Sequence, residues 1–456
     1  MINNWRKSVC LALLASLLAT ASAQQAQHKV HVDFREATLK NGLRVQLAED
    51  HSAPVVSINI TYDVGSRNER EGRTGFAHLF EHMMFKGSQN VGNGEHMYLL
   101  SNVGANFNGT TTPDRTIYYD TVPSNQLEMI LFLESDRMRG LDITQVGLDN
   151  QRHAVQEERR QFTDNQPYGK AEERQQELLY DDFGYHHTTI GSMEDLNAAS
   201  VEDVAQFFKT YYAPNNAVLS LVGDFNSAYA LARIKKYFED IPRNTPPPDV
   251  HMNEPEQSSE RRATVNDPLA RLAQVRLAFK AVPGNTPDFY PLLVLSAVLQ
   301  IGQSSRLYQK LVKERELVTN VFGYMDERRG PSALYTTATL RPGKRTEDVE
   351  AAIYEEIERL MREPIADWEL EKAKNSARLA YVNAIQNAQS RAITLGIFTV
   401  FYNDPNLINT RLDLMDAVTK ADVERVAQKY LKPTNRTVVI TVPQAQSAPR
   451  TSTSGN

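Results

Sequence analysis

Between Val30 and Asp240 the chain switches repeatedly between two spacings of apolar residues. "VVSINITYDVG", from Val55, alternates apolar and polar positions and reads as a strand; "TGFAHLFEHMMFK", from Thr74, carries its apolar residues at helical spacing. "TIYYDTV" returns to strand and "NQLEMILFLESDRMR" to helix, so this half predicts a mixed α/β arrangement. The pattern stops in "IPRNTPPPDVHMNEPEQSSERRAT", where Pro246, Pro247 and Pro248 and scattered charges leave no periodic apolar face, as in an interdomain linker. Beyond it, "LAQVRLAFKAV" is a strand, "DFYPLLVLSAVLQI" a helix and "SALYTTATL" a strand, and Asp367 is expected to cap a long helical region running towards Phe401.

The order of elements repeats, and so do residues. "DVAQFFKTYYAPNNAVLSLVGD" at Asp203 aligns with "DVERVAQKYLKPTNRTVVITVP" at Asp422, pairing Tyr211 with Tyr430, Pro214 with Pro433 and Asn216 with Asn435 at a constant offset of 219. An offset of domain size argues for duplication. The expected class is α+β, two homologous α/β domains, each a mixed sheet packed with helices, at 30–241 and 263–443. A Pro-rich linker at 242–262 joins them, and an aperiodic, polar tail at 444–456 is expected to be disordered.

Composition changes this picture little. At 456 residues, 41% hydrophobic and 23% charged, with a formal net charge of −6, the chain is long enough for two cores and has no charge bias towards nucleic acid or anionic membranes. The N-terminus says more: Arg6 and Lys7 precede an apolar run from Val9 to Ala19, and Ala21 and Ala23 have the spacing of a cleavage site, predicting a secretory signal peptide over 1–23. No later segment is apolar and long enough to span a membrane. The single cysteine, Cys10, falls inside that signal, so the mature chain has no thiols, which suits a periplasmic or secreted protein without disulfides.

Candidate chemistry concentrates in "HLFEH". His78 and His82 lie one helical turn apart and can aim at one point, with Glu81 beside them, in a chain of only ten histidines. Two neutral imidazoles suit zinc, which needs no sulfur ligand. A catalytic zinc wants a third protein ligand, and "LDNQRHAVQEERRQF" offers Glu157 and Glu158; spacing alone does not choose between them. His186 and His187 in "YHHTTIGS" read better as loop or packing residues than as ligands, and "GSRNEREGRTG" as the loop entering the metal helix.

The H-x-x-E-H motif, "GANFNGTTTPDRTIYY", "NQRHAVQEERR" and, in the second half, "GQSSRLYQKL" together resemble the inverzincin metallopeptidases related to pitrilysin, insulin-degrading enzyme and mitochondrial processing peptidase, over most of the mature chain. The resemblance implies one zinc ion per chain held by His78, His82 and Glu158, with Glu81 as catalytic base in peptide-bond hydrolysis. It implies Asn108 and Gly109 as contacts to an extended peptide added to a strand edge, although N-G is also a strong turn signal. Two departures stand out. Gln151 occupies a position where the family has Glu, and Val312 and Thr319 occupy those of an Arg/Tyr pair that contacts substrate, unless Arg315 or Tyr324 substitutes. The resemblance therefore implies the zinc-bearing subunit of a heterodimer whose homologous partner, lacking the zinc motif, supplies the pair; the alternative is a non-catalytic peptide-binding or scaffold subunit.

Overall fold

The computed structural model describes residues 30–444. The signal peptide expected at 1–23 and all but the first residue of the tail expected at 444–456 lie outside the described residues.

Two mixed sheets carry the fold. The first comprises β1 (Arg35–Thr38), β2 (Arg44–Glu49), β3 (Val55–Tyr62), β4 (Asn106–Thr111), β5 (Thr116–Pro123) and β6 (Ala217–Gly223), in the spatial order β1-β2-β6-β3-β5-β4. The second comprises β7 (Arg261–Asp267), β8 (Gln274–Lys280), β9 (Val318–Met325), β10 (Ala333–Leu340) and β11 (Arg436–Pro443), ordered β7-β11-β8-β10-β9. In each, one parallel pair, β2 with β6 and β7 with β11, is followed by antiparallel neighbours. Leaving out β1, the two sheets match strand for strand, and β4 and β9 are the corresponding free edges.

The 219-residue offset has a physical basis in bonds that recur. Asn216 Nδ2 donates to Tyr211 O (2.8 Å) and Asp63 O (3.2 Å), and Asn435 Nδ2 to Tyr430 O (2.7 Å) and Lys280 O (2.8 Å). In both copies this side chain ties the end of the preceding helix to the end of the neighbouring strand. Those helices start alike, Ser200 and Thr419 accepting from the amides of Asp203 (3.1 Å) and Asp422 (3.2 Å) in matching capping boxes.

On one face of the first sheet lie α1 (Phe76–Met83), α2 (Glu95–Asn102), α3 (Leu127–Arg139), α4 (Gln145–Arg159), α6 (Val201–Tyr211) and α7 (Ser227–Phe238), around a core that includes Ile58, Ile60, Phe80, Leu131 and Leu219. The second sheet packs α8 (Phe289–Gln300), α9 (Thr346–Arg362), α10 (Asp367–Ala384), α12 (Leu407–Asp416) and α13 (Lys420–Tyr430) around Leu277, Leu295, Ile353 and Val426. The remaining two long helices are exchanged. α5 (Gly169–Leu179), from the first half, packs on β7, β8 and β11; α11 (Ala388–Tyr402), from the second, packs on β3 and β6. Gln46 bonds Thr399, and Thr121 Oγ1 lies 3.1 Å from Gln389 Oε1. Reciprocally, Arg276 Nε donates to Gln175 Oε1 (3.1 Å) and Arg261 Nη1 to Leu178 O (2.9 Å). From Asp33 to Gln444 the chain is accordingly one compact unit, with two large cores and a smaller cluster of Leu179, Tyr180, Tyr185, Ala278, Ala333 and Tyr335 drawn from both halves.

One local expectation changes. The helical region from Asp367 breaks at Ile385, and Asn387 restarts it by accepting from Ser390 N (2.9 Å); the first of its two helices is closed by Glu369 bonding Ala366 N (2.8 Å), so Asp367 is not its cap. The Pro-rich segment lies bound to the surface: Glu254 accepts from the amides of Asp181 and Asp182 and pairs with Lys280 at 2.6 Å, and β7 begins at Arg261.

Candidate metal centre and its cleft

The chain enters α1 through Gly75, held at φ 84°, a conformation favourable to glycine. Phe76, Leu79, Phe80 and Met83 pack into the first core, which leaves His78, Glu81 and His82 on the side facing α4 and the edge strand β4. The imidazoles of His78 and His82 are 4.8 Å apart between centroids and nearly perpendicular.

α4 starts at Thr144, whose side chain accepts from Gly147 N at 3.1 Å. Leu148, Gln151 and Val155 form its buried stripe, and Glu158 continues that stripe one turn further. Glu158 Oε2 lies 3.6 Å from His78 Nε2 and 3.3 Å from His82 Nε2. Glu157 points elsewhere, pairing with Arg160 at 3.1 Å. The separations suit a common ion: ligands about 2.1 Å from a tetrahedral zinc stand about 3.4 Å from one another. Burial, reinforced by neighbouring His82, pushes the His78 imidazole down to about 4, so it is a neutral donor at physiological pH. The hydrogen bond from His82 holds Glu158 below the ordinary carboxylate value. His78 Nδ1 is buried without a hydrogen-bond partner among the described residues.

Glu81 does not join this cluster. Its Oε2 accepts from Thr111 Oγ1 (2.6 Å), and burial raises its pKa against the pull of that bond. A Cβ at Gly109 would come within 2.9 Å of Glu81 Cγ, so glycine at this strand position lets β4 and α1 approach. Asn108 and Gly109 thus lie mid-strand, and the chain turns later, at Thr112–Arg115. A cleft of about 230 Å³ opens here, lined by Glu81, His82, Phe85, Phe107, Asn108 and Gln151 among others. Thr111, Phe85 and Phe107 were not singled out from the sequence; the pairing of β4 with β5 identifies which side of the strand Thr111 and Phe107 occupy, and Phe85 follows the end of α1.

Elsewhere, Val312 packs against the second core and Thr319 is exposed, bonding Thr339 O at 3.1 Å. Arg315 is committed to Glu355, and Tyr324 stacks on Tyr335 with centroids 5.0 Å apart. His96, Asp120 and Glu134 form a second buried grouping of ligand types, but Arg137 already pairs with Glu134 there.

Comparison with known proteins agrees with this architecture. The family model described as "Insulinase (Peptidase family M16)" matches residues 44–191, and "Peptidase M16 inactive domain" matches 198–377. The chain is 30% identical over 436 residues to zinc protease PqqE of Helicobacter pylori, spanning 95% of this chain and 98% of that protein. It is 23% identical over 411 residues to the mitochondrial-processing peptidase subunit beta of Lentinula edodes, spanning 87% of each. The crystal structure of a protease from Helicobacter pylori superposes with a TM-score of 0.86 at 30% identity, covering 91% of this chain and 100% of that one.

Proposed function

The chain belongs to peptidase family M16, and on that premise we propose that it is a zinc-dependent endopeptidase acting on peptides or unfolded polypeptides, the zinc-bearing subunit of a heterodimer. The observation that carries the reading is the convergence of His78 Nε2 and His82 Nε2 on Glu158 Oε2. When bound there, a zinc ion supplies Lewis-acid chemistry, polarising a peptide carbonyl and making water a nucleophile at neutral pH.

The chain's own residues do the rest. Glu81, outside the ligand set and raised by burial, accepts a proton from the attacking water and delivers it to the leaving amine. Thr111 holds its carboxylate in place. Among the described residues β4 pairs with β5 alone, so its outer edge is open to an extended substrate, which would displace the side chains of Asn108 from Gly109 N (2.9 Å) and Arg115 from Thr110 O (2.9 Å). Main-chain pairing of this kind tolerates many sequences.

The heterodimer reading rests on Val312 and Thr319, neither of which can supply a cation or a phenol, and on the commitment of Arg315 to Glu355. The export signal read at 1–23 supports a periplasmic or secreted location; no described helix is long and apolar enough to cross a membrane. The test is metal analysis of the mature protein, followed by peptide cleavage alone and with a co-expressed homologue carrying the Arg/Tyr pair. Zinc near one ion per chain and chelator-sensitive cleavage requiring the partner are expected. Peptide binding without cleavage under both conditions would favour the scaffold alternative, and strong activity of the chain alone would refute the split site.

A further inference from the structure

Behind the ligand cluster, the loop read from sequence as a packing element touches both helices that carry ligands. Glu69 is fully buried; its Oε2 accepts from Gly75 N (2.9 Å) and its Oε1 from Ala77 N (2.7 Å). These are amides at the start of α1, where unpaired N–H groups and the helix dipole favour negative charge. His187 Nε2 lies 2.9 Å from the same Oε2, and His187 Nδ1 2.9 Å from Phe183 O. Because both ring nitrogens face acceptors, only the imidazolium satisfies both.

From His187 the loop runs back along the start of α1. Ser192 N donates to Thr74 Oγ1 (3.1 Å), and Thr74 N and Oγ1 both donate to Asp195 Oδ2, at 2.9 and 2.5 Å. Gly191, at φ 71°, lies against the backbone of Thr74 and Gly75 with no room for a Cβ. The loop's other side meets α4: Arg159, adjacent to Glu158, donates to Gly191 O at 2.6 Å and is held by Glu173.

We propose that residues 187–192 form a brace that sets the spacing of the two ligand-bearing helices, anchored on α1 by the Glu69–His187 ion pair and on α4 by Arg159. Glu69, His187 and Arg159 are thereby positioning residues for the zinc site, and the proposal rests on the zinc reading above. The two imidazoles share one helix and keep their spacing unaided. The distance from them to Glu158 depends on tertiary contacts, and the brace spans that gap.

The test measures zinc affinity of the purified full-length mature chain by chelator competition, alongside circular dichroism and thermal melting, in Glu69→Gln, His187→Asn and Arg159→Met. Each is expected to weaken zinc binding by about 10- to 100-fold, the range typical of residues that orient metal ligands. Val438→Ala, a truncation in the second core, controls for lost stability and is expected to lower the melting temperature with zinc affinity unchanged. The proposal is overturned if the folded variants bind zinc like the wild type, or if Val438→Ala weakens zinc as much as they do. Should Glu69→Gln fail to fold, the other two variants decide. A wild-type chain without zinc affinity would refute the zinc reading itself, and the brace with it.

Discussion

The helix that follows the third strand of the first sheet, α1, and its counterpart in the second, α8, occupy the same place in matching topologies and differ in one face. α8, "FYPLLVLSAVLQ", is buried almost throughout, whereas α1, "FAHLFEHM", keeps His78 and His82 partly exposed beside a cleft. Each half also sets a glycine of its edge strand against the helix. Gly109 leaves room for Glu81 and Gly323 for Gln300, and both side chains meet a threonine hydroxyl, Thr111 at 2.6 Å and Thr336 at 2.5 Å. Gln300 also donates to Tyr335 O (2.9 Å) and closes a structural network, while among the described residues Glu81 has no second hydrogen-bond partner of that kind. One scaffold thus supports a polar group between helix and edge strand in both halves. Chemistry is expected only where that group is a carboxylate next to the side chains proposed to hold zinc.

The sharpest way to break this comparison is to exchange the two groups. Glu81→Gln is expected to lower peptide cleavage by about 10²- to 10⁴-fold, the usual contribution of a general base, while zinc content stays at the wild-type level. Gln300→Glu removes a donor from a buried network and is expected to lower the melting temperature without changing the cleavage rate of the remaining folded protein. Equal loss of activity in both would show that the second half takes part in catalysis.

The edge-strand glycines give the next largest contrast. Gly109→Val forces β4 away from Glu81 and is expected to reduce cleavage about 10²-fold through displacement alone. Gly323→Val overpacks against Gln300 and is expected to cost about 1–3 kcal/mol of stability, read by denaturant melts. Smaller and symmetric are Asn216→Ala and Asn435→Ala, each removing the part-buried hydrogen bonds to a helix end and a strand end, at about 1 kcal/mol apiece. A marked difference between them would weaken the structural equivalence of the copies.

The mildest effect is one of pH and belongs to the first half alone. Burial pushes the His187 imidazole down, but its hydrogen bond to Glu69 and the attraction between their charges outweigh this, and its pKa lies above the ordinary 6.5. A raised folded-state value means the stabilisation is fully present below the unfolded value and is lost as pH rises through the folded one. The melting temperature of the wild type should therefore exceed that of His187→Asn most clearly near pH 6, with the gap narrowing towards pH 9. Glu69 is the charged group facing this ring, and a gap that widens with pH would contradict the ion pair.

Much of the fold was legible because local rules sufficed. The strands and helices around "VVSINITYDVG" and "DFYPLLVLSAVLQI" follow from apolar spacing, and the repeated Tyr, Pro and Asn mark the same capped helix, turn and strand twice. The proposed choice of Glu158 over Glu157 rests on family resemblance, and the helical stripe Leu148, Gln151, Val155 points the same way once that stripe is known to be buried. The alternation in β3 was read correctly as strand, but it does not announce that its polar positions Ser57, Asn59 and Thr61 are also buried, because the covering helix α11 comes from more than 300 residues later.

By itself the sequence determined the elements, the duplication and one rigid part of the site, since two imidazoles four residues apart converge through helix geometry alone. The tertiary structure decided the exchange of α5 and α11, the approach of Glu158 to those imidazoles, and the contact of a distant loop with both helices. Contacts of that kind depend on how separately formed surfaces fit together, and residue spacing within one element carries no record of it.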